Sequence, residues 1–207
     1  MSDRADRPQI YLITPPVFDA EVFAPLLARV CDGVEIACLR LAMAGQDEDA
    51  ISRVADALRE VAHARDIPLV IERHTLLAER LGLDGVHLPE GLRDIRKLRK
   101  ALGPDAIIGA ACGASRHDGM NAAEAGADYV SFAPVGENGL GQGERVDAEL
   151  FAWWSEMIEV PVVAEGALTS ELVAGLAPVT DFFAFGAEIW GQPDPLEALK
   201  VLTAPMG

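Results

Sequence analysis

The chain has 207 residues, half of them hydrophobic, and carries 33 acidic side chains against 17 Lys plus Arg, a formal charge of −16. That length and apolar content suit one domain spanning residues 1–207, and the negative balance repels nucleic acid phosphates and anionic membrane, so neither is expected as a partner. No apolar run approaches the roughly 20 residues that cross a bilayer, and Met1-Ser2-Asp3-Arg4 lacks the apolar core of a secretory signal, which makes the expected location cytoplasmic.

Apolar, β-rich runs recur along the chain, each followed by a stretch with helical apolar spacing. In order they are Ile10–Thr14, Gly33–Arg40, Ile67–Ile71, Gly85–Leu88, Ala106–Ala110, Tyr129–Ala133, Val160–Ala164 and Asp181–Phe185. Between them lie Ala- and Leu-rich helices with charged faces, such as Asp47–Ala64 and Arg93–Leu102. The strands are almost wholly apolar rather than alternating, as in a parallel sheet covered on both faces. Eight such units predict an α/β fold, a compact (βα)8 TIM barrel, with an open doubly wound sheet as the rival.

Barrel chemistry gathers at the carboxyl ends of the strands. The second strand ends at Arg40, and the third runs into Glu72-Arg73-His74. Pro89-Glu90-Gly91 follows the fourth, and Cys112 to His117 the fifth. The sixth leads into "APVGENGLGQGE", the seventh into Glu165-Gly166-Ala167, and the eighth into Gly186-Ala187-Glu188. A strand feeding a helix through a glycine turn aims backbone amides at an anion, so the carboxylate of Glu165 in "VVAEGAL" stands out. At ~4 Å from a phosphate charge it would repel by about 4 kcal/mol at an effective dielectric near 20. It escapes that conflict by turning outward or by pairing with an arginine, and one residue of register decides.

The motifs "YLIT" at the first strand, "DGVHLPEG" at 84–91, "GADYVSFAPV" at 126–135 and "VPVVAEGAL" at 160–168 resemble, in order and spacing, the superfamily of thiamine phosphate synthase and its thiazole tautomerase (TenI-like) branch. The resemblance implies a barrel whose top face couples a thiazole phosphate with an aminopyrimidine diphosphate, using magnesium and releasing diphosphate. By its strand-end residues the chain resembles a divergent member. Where the synthases carry Gln-x-Arg-x-Lys after the second strand, it has Cys38-Leu39-Arg40-Leu41-Ala42. Their Asn-Asp after the third strand is Glu72-Arg73, and their Gly-Gln-x-Asp after the fourth is Pro89-Glu90-Gly91-Leu92. With both metal-holding aspartates replaced, no cofactor is expected. The loop after the sixth strand lacks the family's threonines and lysine, and Ala133-Pro134 stands where the tautomerases place their histidine. The glycine pair after the seventh strand has become Glu165-Gly166, with Glu188 beside it after the eighth.

The site expected from these tips comprises Arg40, Glu72, Arg73, Glu90, Glu137, Glu165, Gly166, Gly186, Ala187 and Glu188 around a small-molecule ligand, with no catalytic residue assigned. Arg40 either faces a diphosphate or neutralises the acidic rim. Arg73 either supplies a fixed cation in place of magnesium or pairs with Glu72 or Glu90. His87 reads as a hydrogen-bonded barrel histidine; His74 as exposed; His117 as a weak acid–base candidate. Cys38 and Cys112 read as apolar fillers, and all three cysteines, Cys31 included, as reduced thiols. Trp153 and Trp154 adjoin on one helix, where neighbours diverge by about 100°, so one of them predicts exposed aromatic surface and a homodimer interface. Trp190 packs either over the mouth or under the last helix. The glycine-rich residues 136–144 form either a lid or a connector. Three functions follow: a thiamine phosphate synthase-like enzyme, a barrel that binds an unphosphorylated or cationic small molecule, and a non-catalytic ligand-binding paralogue.

Overall fold

In the computed structural model, which describes residues 7–45, 47–89, 94–137 and 145–206, eight parallel strands pair in chain order and close into a barrel. They are β1 (Gln9–Ile13), β2 (Cys38–Leu41), β3 (Leu69–Glu72), β4 (Gly85–Leu88), β5 (Ile107–Ala111), β6 (Tyr129–Phe132), β7 (Val162–Glu165) and β8 (Phe182–Phe185). The helices outside them are α1 (Ala20–Gly33), α2 (Glu48–His63), α3 (Thr75–Leu81), α4 (Ile95–Leu102), α5 (Arg116–Ala125), α6 (Ala148–Met157), α7 (Ser170–Leu176), α8 (Ala187–Trp190) and α9 (Pro195–Thr203). The TIM barrel is thus the observed architecture, and β8 pairing with β1 removes the open-sheet rival. No helix among the described residues is long and apolar enough to cross a membrane.

Local chemistry marks where the helices begin and end. Asp19, Asp47, Ser115, Thr169 and Asp194 cap α1, α2, α5, α7 and α9 by accepting free amides of the first turn. Gly82 and Gly126 end α3 and α5 in the left-handed conformation. One expectation fails: residues 33–37 are not strand. Gly33 closes α1 and β2 begins only at Cys38. Val34 and Ile36 earn their apolar character by packing in the layer outside the sheet.

Strand alternation sorts the apolar residues into two layers. Leu12, Leu39, Val86, Ile108, Phe132 and Phe183 face outward and meet Leu27, Leu58, Phe151 and Trp154 from the helices. Tyr11, Cys38, Val70, Tyr129, Val163 and Ala184 face the barrel axis. Gly109 of β5 sits opposite Tyr129, and a Cβ there would overlap the tyrosine ring. At the amino end, Asp84, Asp128 and Asp181 each precede an even-numbered strand and accept an amide of the odd strand before it: Leu69 at 2.7 Å, Ile108 at 2.7 Å and Val162 at 2.8 Å. This explains the aspartates of "DGVHL" and "GADYV" as framework.

Trp154 is fully buried and donates its Nε1 to the Val160 carbonyl at 2.7 Å. Trp153 is half-buried and lies under the Arg116 guanidinium, 4.2 Å from the ring centroid. Gly109→Ala is expected to lower stability by about 1–3 kcal/mol, because the added methyl forces Tyr129 off its position. Urea unfolding followed by tryptophan fluorescence measures this, and an unchanged midpoint would show that the ring is free to move.

Candidate functional site

Arg40, Glu72 and Glu165 share one parity with the residues that face the barrel axis. Each stands two positions beyond an inward residue of its own strand: Cys38 on β2, Val70 on β3 and Val163 on β7. All three therefore point inward at the carboxyl end. Arg40 is buried, its side chain 4% exposed, and its Nη2 donates to Glu165 Oε1 at 2.5 Å. Its Nε lies 3.7 Å from Glu72 Oε2, and its guanidinium rests over the Tyr11 ring, 5.7 Å from the centroid. Burial by itself pulls the Arg40 pKa down, but the Glu165 carboxylate, followed by Tyr11, more than reverses this and holds the side chain charged. Glu165 thus faces the mouth and pairs with an arginine.

Beneath the ion pair runs a buried polar chain. Tyr11 and Tyr129 share a hydrogen bond between their hydroxyls at 2.8 Å, and the Tyr129 hydroxyl meets His87 Nδ1 at 2.9 Å. Burial, and then the Tyr129 and Cys38 neighbours, push the Tyr11 pKa well up. Burial, followed by the Arg40 charge, pushes the His87 pKa well down, so the imidazole is neutral. Burial pushes the Cys38 thiol up to about 12, which leaves it inert as a nucleophile.

Above the pair opens a cavity of about 650 Å³, walled by the ends of β1, β2, β7 and β8. Glu188 clamps two of its loops together: Oε2 accepts the Gly186 amide at 2.9 Å and Oε1 the Leu168 amide at 3.2 Å. Gly166 and Ala167 turn the chain after β7 with φ of 89° and 54°, in the left-handed region. Trp190 lines the same cavity, stands edge-on to Phe23 and donates Nε1 to the Ile13 carbonyl at 2.6 Å. It serves the mouth and the helix layer at once.

Of the expected residues, Arg40, Glu165, Gly166, Gly186, Ala187 and Glu188 line the cavity. Glu72 stands beside it, shared between Arg40 and Arg73. Arg73 is 64% exposed and bonded to Glu72 at 3.0 Å, as an ion pair rather than a cation facing the cavity. Glu137 is exposed and away from the lining. Glu90 and residues 138–144, which carry most of the expected lid, lie outside the described residues. His117 is exposed on α5, His74 is half-buried ahead of α3, and Cys112 is buried. The tip of β1 was missed: Thr14 is buried, accepts the Ala42 amide at 3.0 Å and forms part of the wall with Pro15 and Pro16. A barrel has eight tips, and completing that list from "ITPP" would have found it.

Comparison with known proteins places this geometry in a lineage. A match to the family described as Thiamine monophosphate synthase spans residues 10–187. The chain belongs to that family. The thiamine-phosphate synthase of Rhodospirillum centenum is 40% identical over 187 residues, covering 89% of this chain and 90% of its own. That of Hyphomonas neptunium is 34% identical over 215 residues, covering 99% and 97%. A thiamine phosphate pyrophosphorylase structure from Pyrococcus furiosus superposes with a TM-score of 0.81 at 19% identity, over 96% of this chain and 97% of that one, a likeness of fold.

At the strand end where the resemblance implies a magnesium ligand stand Glu72 and Arg73. Glu72 already serves two guanidinium groups, and Arg73 adds positive charge beside it. Among the described residues no group of three or more His, Cys, Asp or Glu side chains is placed to hold a metal.

Arg40→Met leaves Glu165 without its counter-charge and is expected to cost about 3 kcal/mol in chemical denaturation. The double variant Arg40→Met/Glu165→Leu should recover more than half of that loss, and strictly additive losses would show that the two do not interact. His87 makes a second, pH-dependent prediction. Its folded pKa is depressed, so below the unfolded value near 6.5 the unfolded chain binds the extra proton and stability falls with falling pH. The stability advantage of wild type over His87→Gln should shrink by about 1.4 kcal/mol per pH unit below that point. A constant difference between pH 7 and pH 5 would contradict it.

Proposed function

We propose that this protein works in thiamine biosynthesis and holds a thiazole or aminopyrimidine precursor in the cavity at the carboxyl end of the barrel. Family membership across residues 10–187 carries this reading, since that span contains Arg40, Glu165, Gly166 and Gly186 of the cavity wall. The reaction in the family's name forms thiamine monophosphate. There the bond between the pyrimidine methylene and diphosphate breaks, diphosphate leaves with the electron pair, and the thiazole nitrogen supplies the pair for the new C–N bond. Arg40 is the buried cation of this cavity and fixes the position of Glu165. Thr14 and Trp190 tie β1 to β2 and to α8 and so shape the wall against which a flat heterocycle would lie.

A second reading keeps the same cavity but gives it an uncharged or cationic heterocycle. Its support is the pair of carboxylates Glu165 and Glu188, which among the described wall residues stand against one cation, Arg40. Calorimetry with the thiazole alcohol, the thiazole phosphate and the hydroxymethyl aminopyrimidine, together with a coupling assay in magnesium buffer, tests both. Binding of at least one precursor with a Kd below about 1 mM, an affinity beyond about 4 kcal/mol, is expected. Formation of thiamine phosphate would establish the family reaction, and failure of every precursor to bind at millimolar concentration would overturn the thiamine assignment.

A further inference from the structure

The oxygens of Glu188 hold amides from two different loops, Gly186 after β8 and Leu168 after β7. In barrels of this architecture those two loops commonly offer backbone amides to a phosphate group. Here two of those amides are already engaged by a carboxylate that belongs to the chain itself. Glu188 lines the same cavity as Arg40 and Glu165, so the charged side chains of its described wall are one guanidinium and two carboxylates. Arg40 does not offset them for an incoming anion, because it is buried and already paired with Glu165.

The ion pair below does not change this balance. Arg40 Nε and Glu165 Oε2 are buried without a hydrogen-bond partner and closed to solvent, and Arg40 Nη2 is held by Glu165.

We infer that Glu188 is a specificity-determining residue that occupies the anion-facing amides of the β7 and β8 loops and turns phosphate esters away in favour of an uncharged or cationic group. For ester binding this rests on the reading that the cavity is the precursor site, whereas the competition for the amides stands on the hydrogen bonds alone. A phosphate charge brought within about 4 Å of a retained carboxylate meets repulsion worth roughly a hundredfold to a thousandfold in affinity.

The test compares wild type, Glu188→Gln and Glu188→Ala by calorimetry with three probes: inorganic phosphate, the thiazole alcohol and its phosphate ester. Glu188→Gln keeps an acceptor oxygen for one amide and removes the charge, so it reports on electrostatics even where Glu188→Ala loosens the loops, and melting curves verify that both variants fold. The ratio of ester to alcohol affinity is expected to rise by at least about 30-fold in the variants, and inorganic phosphate should bind more tightly than to wild type. An unchanged ratio together with equal phosphate affinity in all three proteins, including no detectable binding in any, overturns the inference. Tighter phosphate binding by the variants, with no thiazole bound by any protein, upholds the role of Glu188 and sinks the thiamine assignment instead.

Discussion

A guanidinium enclosed by apolar strands has to be met by carboxylates, and the mouth of this barrel is arranged around that demand. Arg40 enters from β2, where every neighbour on the strand is buried. An unpaired charge at such a place would cost several kcal/mol. Glu165 meets it from β7, three strands round the closed barrel, and Glu72 approaches it from β3 next door. Once these are committed, the amide-rich turn after β7 has an acid at its entrance, and the loops there close on a second acid, Glu188. The cavity's charge pattern follows from the arginine below it.

The fold was legible because a strand buried on both faces reads as a mainly apolar run, and every strand here is buried at its middle. The stretch from Gly33 to Ala37 shows where that signal fails. Val34 and Ile36 are apolar because they fill the layer outside the sheet, and periodicity does not separate such a connection from a strand. Gly85–Leu88, bounded by Asp84 and Pro89, was placed to the residue, since its flanking turn chemistry is strong.

The site was legible in its membership more than in its contacts. Strand ends name Arg40, Glu72 and Glu165, and alternation from Cys38, Val70 and Val163 settles that they point inward, once the strand ends are known to the residue. No pattern in the sequence announces that Glu188 reaches back to the amides of Gly186 and Leu168, because that bond depends on how two loops converge after closure. Arg73 illustrates the same limit. Its backbone has a φ of 69° and its side chain pairs with Glu72 outside the cavity lining, an arrangement that no pattern in the sequence marks.

The hydroxyl–hydroxyl–imidazole chain through the barrel has a bearing on how the protein comes together. Tyr11, Tyr129 and His87 sit on β1, β6 and β4, strands that are not neighbours, so the chain acts as a crossbar over the diameter. Its first link joins residues 118 positions apart. During synthesis, Tyr11 and His87 emerge long before Tyr129, and until β6 arrives neither can form its hydrogen bond to the Tyr129 hydroxyl. Contacts of such sequence separation form late and slowly. The crossbar therefore forms only once β6 has been made, and the barrel closes later still, when β8 pairs with β1.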